Sequence, residues 1–188
     1  MVRRVILLRA VNVGGNLLTM PRLQEALSHA GFGPARTVGA SGNAVVEVDA
    51  ETPDASIEAA VEAALAEEAG LRTTAFVRNA TEWAGVVRSN PFHREAMGDP
   101  AHLVVAALRS APRPAAWAAL TRSIAGRERV KGSGRHAYIV YPDGIGRSKL
   151  TAAVLERELG TLSTSRNWNT VQALLRLVEG APGSGPAP

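Results

Sequence analysis

The strand-forming runs of this chain come in pairs that lie too close in sequence to be joined by a crossover helix. Ala35–Val38 and Ala44–Val48 flank a turn at Ser41-Gly42-Asn43, and runs near Glu128–Val130 and Ala137–Tyr141 flank Gly132-Ser133-Gly134. A parallel connection needs a dozen residues or more, so both pairs read as antiparallel hairpins and one doubly wound sheet is disfavoured. Around the first hairpin stand a strand at Val5–Leu8, a helix with Met20, Leu23 and Leu27 on one face behind a Thr19 cap, a second helix carrying Ile57, Val61 and Leu65 behind Asp54, and a strand at Thr73–Val77. Gly31-Phe32-Gly33-Pro34 stops the first helix and Gly70 the second. The order is β-α-β-β-α-β over residues 3–78, that of a ferredoxin-like unit.

The same order then recurs. A short helix near Thr81–Val87 and a loop over Asn90–Pro100 lead to a strand at His102–Leu108, and a helix with Trp117, Leu120 and Ile124 on one face follows. After the second hairpin come a loop at Gly144–Ser148, a helix at about Lys149–Glu158, an edge strand near Leu162–Ser165 and a final helix from Trp168 to about Val178. The expected fold class is α+β, with two ferredoxin-like βαββαβ halves, each an αβ sandwich, plus a C-terminal helix. The expected boundaries are 1–79 for the first half, 80–100 for a linker with a short helix, 101–179 for the second half with its C-terminal helix, and 180–188 for a disordered Gly/Pro tail.

Composition narrows the chemistry. The 188 residues include no cysteine, which removes disulfides, thiolate nucleophiles and thiolate metal sites and points to a reducing cytoplasm. The N-terminal apolar run is interrupted by Arg9 and Asn12 well short of a membrane-spanning length, so no membrane association is expected. The net charge of +4 is unevenly placed: residues 1–100 carry nine basic and twelve acidic side chains, residues 101–188 twelve and five. A positive second half suits phosphates, and contact with a nucleic-acid backbone is a second possibility on the same ground.

Four polar clusters sit where strands give way to loops or helices. The first, Arg9 to Asn16, offers Arg9, Asn12 and Asn16 as donors beside Gly14 and Gly15, whose backbone amides a ligand can approach without side-chain obstruction. The second is the turn Ser41-Gly42-Asn43, where Gly42 supplies a positive φ. The third, Gly144 to Thr151, places Arg147, Ser148 and Lys149 at an expected helix start, where free amides and the helix dipole favour anions. It lacks the spacing of a Walker A loop, so nucleotide hydrolysis of that type is not implied. The fourth, Thr164 to Thr170, brings Arg166, Asn167 and Asn169 to another helix start, with Asn167 suited to capping and Trp168 to core packing.

Other chemistries find no support. His29, His93, His102 and His136 are scattered without metal-ligand spacing and read as surface or ordinary polar positions, so no metal and no cofactor are expected. Glu58 and Glu62 lie one helical turn apart on what reads as a solvated face. No carboxylate falls within the four clusters, no serine sits in Gly-x-Ser-x-Gly, and catalytic residues are left unassigned. Base stacking of the RNA-recognition type is disfavoured, because the central strands carry no aromatics and Tyr138 and Tyr141 would face opposite sides of theirs.

Five segments together resemble the bacterial domain of unknown function 1697 family: Leu7-Leu8-Arg9-Ala10-Val11-Asn12-Val13-Gly14-Gly15-Asn16, Ser41-Gly42-Asn43, Asn90-Pro91-Phe92, Gly144 to Thr151, and Ser165 to Thr170. Ala10 stands where the family typically has glycine, and Val38-Gly39-Ala40 where it often has an aromatic and a glutamine. The resemblance implies an αβ fold with a duplicated half, a cytoplasmic bacterial origin and no established activity. The resulting expectation is a phosphate-bearing small molecule or nucleotide held between the halves by the four clusters, with nucleic-acid backbone binding by the arginine-rich second half, or a structural or interaction module without a ligand, as the alternatives; oligomeric state and reaction stay open.

Overall fold

The computed structural model describes residues 1–13 and 17–180. The first half runs β1 (Val2–Leu8), α1 (Met20–His29), β2 (Arg36–Thr37), β3 (Asn43–Val48), α2 (Asp54–Ala69) and β4 (Ala75–Asn79). Two helices follow, α3 (Ala80–Arg88) and α4 (His93–Gly98). The second half runs β5 (Leu103–Leu108), α5 (Pro114–Ser123), β6 (Arg129–Ser133), β7 (His136–Val140), α6 (Ala152–Leu159), β8 (Ser163–Asn167) and α7 (Trp168–Glu179). The sheets have orders β2-β3-β1-β4 and β6-β7-β5-β8, every neighbouring pair antiparallel. These are the same order twice, and the α+β duplication expected from the hairpin spacing is what forms. The chain divides into two compact units, Met1–Gly85 with the residues from Gln172 onward, and Val86–Val171.

In the first unit, α1 starts where Thr19 Oγ1 accepts from the Arg22 amide (3.4 Å), and Pro21 falls in the first turn, where its missing N–H is not needed. Asp54 does not cap α2, contrary to expectation. Pro53 precedes the helix, and Asp54 is its first residue, paired with Arg4 Nε at 2.9 Å. Gly70 closes α2 in the left-handed region. Leu23, Leu27, Ile57, Val61 and Leu65 then form one core with Ile6, Leu8, Val46 and Val77, each buried side chain contributing about 1.5–3 kcal/mol.

Glu58 and Glu62 are not solvated. Glu58 is 6% exposed, its Oε1 accepts from the Val77 amide at 3.0 Å, and Glu62 Oε1 accepts from the Ala75 amide at 2.9 Å. The cause lies in the sheet order: β4 is an edge strand, its outward amides need acceptors, and the glutamates flanking the apolar stripe of α2 supply them. The second half repeats the device, with Glu156 of α6 accepting from the Ser163 amide of edge strand β8 at 2.8 Å.

In the second unit, Leu120, Leu155 and Leu159 pack with Val104, Ala106, Ala137, Ile139 and Tyr141. Gly132 of β6 leaves room for Trp117 of α5; a Cβ there would lie 2.4 Å from its ring. The helix after β7 starts later than the glycine and basic residues suggest. Ile145–Arg147 form a single 3-10 turn, and α6 begins at Ala152 behind Thr151, whose Oγ1 accepts from the Val154 amide at 3.3 Å. The Asn90–Pro100 segment contains α4, which its sequence did not suggest.

The faces of the sheets turned away from these helices are buried too, with Val5, Leu7 and Phe76 in one unit and Leu103, Val105, Ala107 and Tyr138 in the other. Their continuous apolar runs have the composition of strands covered on both sides. Tyr138 donates to the Val86 carbonyl at 2.8 Å, and burial pushes its phenol up to about 12. Tyr138 and Tyr141 do face opposite sides of the sheet, Tyr141 lying in the helix-covered core. Among the described residues, no helix is long and apolar enough to cross a membrane.

Candidate functional site

The first two clusters meet at one end of the first sheet. β1 ends where its Leu8 amide donates to the Gly42 carbonyl (2.8 Å) and the Arg9 amide to the Thr74 carbonyl (2.9 Å). Arg9 is partly buried, and its carbonyl accepts from Thr73 Oγ1 at 2.6 Å. Asn12 takes a left-handed φ of 57° and ties the loop to itself: its side chain accepts from the Leu18 amide (2.8 Å) and donates to the carbonyls of Leu18 (3.0 Å) and Ala40. Asn43 is fully buried, donating to the Val38 carbonyl (2.8 Å) and to Ser41 Oγ (3.0 Å). Its amide therefore braces the hairpin, and the same is true of Asn12 in the preceding loop. Gly14, Gly15 and Asn16 lie outside the described residues, as does the tail over 181–188.

Ala10 has a φ of 53°. A side chain in the left-handed region costs about 1–2 kcal/mol. Ala10→Gly is therefore expected to raise the unfolding free energy by about 1 kcal/mol, less the entropy that glycine adds to the unfolded chain. A urea titration measures it, and a lower midpoint would show that the Ala10 methyl makes a contact worth more than the strain.

The third and fourth clusters lie at one end of the second sheet, the end at which β5 begins. Antiparallel pairing puts the end of β7 beside Leu103 and the end of β8 beside Val104, and the Trp168 amide donates to the Pro100 carbonyl at 3.2 Å. They face different ways. Arg166 pairs with Val105 on the face turned from α5 and α6 and is 7% exposed. It donates to Thr164 Oγ1 and to the Ser165 carbonyl, both at 2.8 Å, and desolvation lowers its guanidinium to about 10. It stays charged at neutral pH. Asn167 caps α7, accepting from the Thr170 amide at 3.0 Å, while Asn169 is exposed. Trp168 is core, its indole N–H without a hydrogen-bond partner among the described residues.

Ser148 and Lys149 line a depression of about 190 Å³ together with Arg127, Glu128, Asp143 and Arg147. None of Arg166, Asn167 and Asn169 lines it. The site begins at Gly144, whose φ of 84° turns the chain out of β7 into the 3-10 turn. Ser148 Oγ accepts from the Leu150 amide (2.9 Å) and donates to Glu128 Oε1, so both its capacities are used to hold the loop against the α5–β6 connection. Asp143 accepts two hydrogen bonds from Arg127, one of 3.0 Å from Nε, and these hold its carboxyl below the usual range with help from Arg147. Both carboxylates are thus engaged, while Arg147 and Lys149 are exposed and form no ion pair among the described residues. The anion-binding argument changes its basis: Lys149 lies before α6, so two cations in a concavity stand in place of a helix dipole.

Sequence reading missed Arg127, Glu128 and Asp143. Asp143 adjoins the Gly144 segment and was visible as a neighbour, but Glu128 reaches Ser148 from 20 residues away and carries no local signal. The histidines are mostly surface, as expected; His136 is the exception, buried on β7. His102 contacts Asp99 at 2.7 Å. Among the described residues, no group of three or more His, Cys, Asp or Glu side chains is placed to hold a metal ion.

Fold and site define a duplicated ferredoxin-like α+β protein with a small, cation-lined depression in its second half. The chain belongs to the family described as "Protein of unknown function (DUF1697)", whose model matches residues 1–138. Three of the five resembling segments fall within that span, and Gly144–Thr151 and Ser165–Thr170 beyond it. The fold is similar to that of a solved structure, the conserved bacterial protein SP0830 from Streptococcus pneumoniae, at a TM-score of 0.70 and 17% identity, covering 95% of this chain and 99% of that one. No curated protein matches the chain.

Proposed function

We propose that the protein binds a phosphate-bearing small molecule through the Gly144–Lys149 loop in a cytoplasmic setting. The supporting observation is the pairing pattern of the depression: its two carboxylates are occupied by Arg127 and Ser148, which leaves Arg147 and Lys149 to an incoming anion. Size selects the ligand portion. Sites that bury a drug-sized molecule occupy about 300–1,000 Å³, so a depression of about 190 Å³ suits a phosphate or diphosphate group with the remainder of the ligand outside. Arg147 offers a planar fork and Lys149 a point charge, which together hold a dianion at two oxygens.

Thermal-shift titration with inorganic phosphate, pyrophosphate and nucleoside phosphates tests this reading. A ligand at 100 times its dissociation constant adds about 2.7 kcal/mol, which for a protein of this size raises the melting temperature by roughly 5–11 °C. Arg147→Ala together with Lys149→Ala should abolish the shift without changing the ligand-free melting temperature by more than about 1–2 °C, both residues being exposed. No shift with any phosphate compound, or a shift retained in the double variant, would remove the loop as the site. Contact with a nucleic-acid backbone instead predicts affinity that falls steeply and linearly with the logarithm of salt concentration.

A further inference from the structure

The described residues form four sheet edges, and the backbone of three is shortened or capped by side chains. Edge strand β2 is only two residues long, the outward amides of β4 are taken by Glu58 and Glu62, and that of Ser163 on β8 by Glu156. Unprotected edges are templates for pairing, so folded proteins cover or shorten them. Strand β6 differs, because among the described residues no side chain takes its outward amides and only the charges of Arg129 and Lys131 guard it. It is five residues long, with Arg129, Lys131, Gly132 and Ser133 exposed. The two-residue turn at Gly134–Arg135 closes on the Ser133–His136 pair. Hydrogen-bonded pairs then alternate along the hairpin at Ser133, Lys131 and Arg129, and the backbone N–H and C=O groups of Val130 and Gly132 point away from β7.

We infer that β6 is a docking edge for an extended peptide of alternating acidic and apolar residues, which adds to the sheet as a fifth strand. Two observations set the chemistry of that partner. Lys131, on the face opposite the helices, would stand beside an added residue with no acidic side chain of β6 to answer it, whereas Arg129 on the same face is already paired with Glu95. Lys131 has no ion pair among the described residues. A groove of about 480 Å³ follows this edge, lined by Val130, Ile124 and Phe92 together with Glu128, Arg129 and Lys131, and the intervening residues would place apolar side chains against Val130 and Ile124. Arg129 lies 5.2 Å over the Phe92 ring and pairs with Glu95, so one wall of the groove is already fixed. A second copy of the same strand fits poorly, because antiparallel self-pairing centred in β6 sets Lys131 against Lys131 or Arg129, and like charges directly opposite destabilise.

The test uses the full chain and a fluorescein-labelled hexapeptide alternating glutamate and valine. Anisotropy should show saturable binding, and amide hydrogen exchange at Val130 and Gly132 should slow on its addition. N-methylating alternate peptide amides should weaken binding by about tenfold or more, since it removes the ladder and leaves the side chains. Lys131→Glu should weaken the acidic peptide and favour a lysine–valine peptide, with the far-ultraviolet spectrum unchanged because Lys131 is exposed. Absence of saturable binding overturns the inference, as does equal affinity for the N-methylated peptide. Concentration-dependent protection of the Val130 and Gly132 amides without peptide would overturn it in favour of self-association.

Discussion

Gly42→Ala is expected to cost about 3 kcal/mol of folding stability, which lowers the melting temperature by roughly 6–12 °C. Two penalties combine. The residue has a φ of 71°, where a β-carbon is disfavoured, and that β-carbon would lie 2.8 Å from Cβ of Leu8. Neither partner can retreat freely. Leu8 is 1% exposed in the helix-covered core, and its amide donates to the Gly42 carbonyl at 2.8 Å, so moving the turn breaks the bond that joins it to β1. Urea and thermal unfolding measure the loss. A change under 1 kcal/mol would show that the hairpin relaxes, and would reopen the Ser41-Gly42-Asn43 turn to a ligand role in place of the packing role described above.

Arg78→Ala is expected to cost about 3 kcal/mol or more. Its side chain is 1% exposed, its Nε lies 3.3 Å from Glu82 Oε1, and Nη1 donates to the Val77 carbonyl at 2.8 Å. Truncation leaves a cavity under β4 and removes the partner of a carboxylate that is 23% exposed. The cause can be separated. Arg78→Met refills the volume, and adding Glu82→Gln removes the stranded charge, so the double variant should recover a good part of the loss. A double variant as unstable as Arg78→Ala would mean that the hydrogen bonds of the guanidinium, and not its charge or bulk, hold that region.

Arg78 also explains Arg166. Both β4 and β8 end in Arg-Asn and pass directly into a helix, and the two arginines occupy equivalent register positions, opposite Val5 and Val105. Asn79 accepts from the Glu82 amide at 2.8 Å as Asn167 does from that of Thr170 at 3.0 Å. Arg166 looked functional in isolation because nothing in its immediate sequence required it, while Asn167 already read as a cap. Their counterpart 88 positions earlier shows a structural motif of the duplicated fold, legible in the sequence once the two halves are aligned by element order.

The element order was legible because it rests on local signals: Thr19 and Gly70 at helix ends, apolar spacing in α1, α2 and α7, and glycines in the hairpins. The engagement of Glu58 and Glu62 by the β4 amides was not, because it depends on β4 being an edge, and edge position follows from pairing between strands distant in sequence. The start of α6 was misplaced for a different reason. Ser148 and Thr151 are both good caps; Ser148 is engaged by Glu128 and the Leu150 amide, and Thr151 takes the helix. The depression was half legible: Ser148 and Lys149 belong to a recognisable segment, whereas Arg127 and Glu128 reach it only through the turn of the chain between α5 and β6.

The most direct test of phosphate recognition is a ¹H–¹⁵N titration of the full chain with pyrophosphate at constant ionic strength. Saturable shifts centred on the amides of Gly144, Gly146, Arg147 and Lys149, lost in the Arg147→Ala, Lys149→Ala variant, are the predicted result. Shifts centred instead on Arg9, Asn12 and the Ser41–Asn43 turn, or no saturable change at any amide, would contradict it.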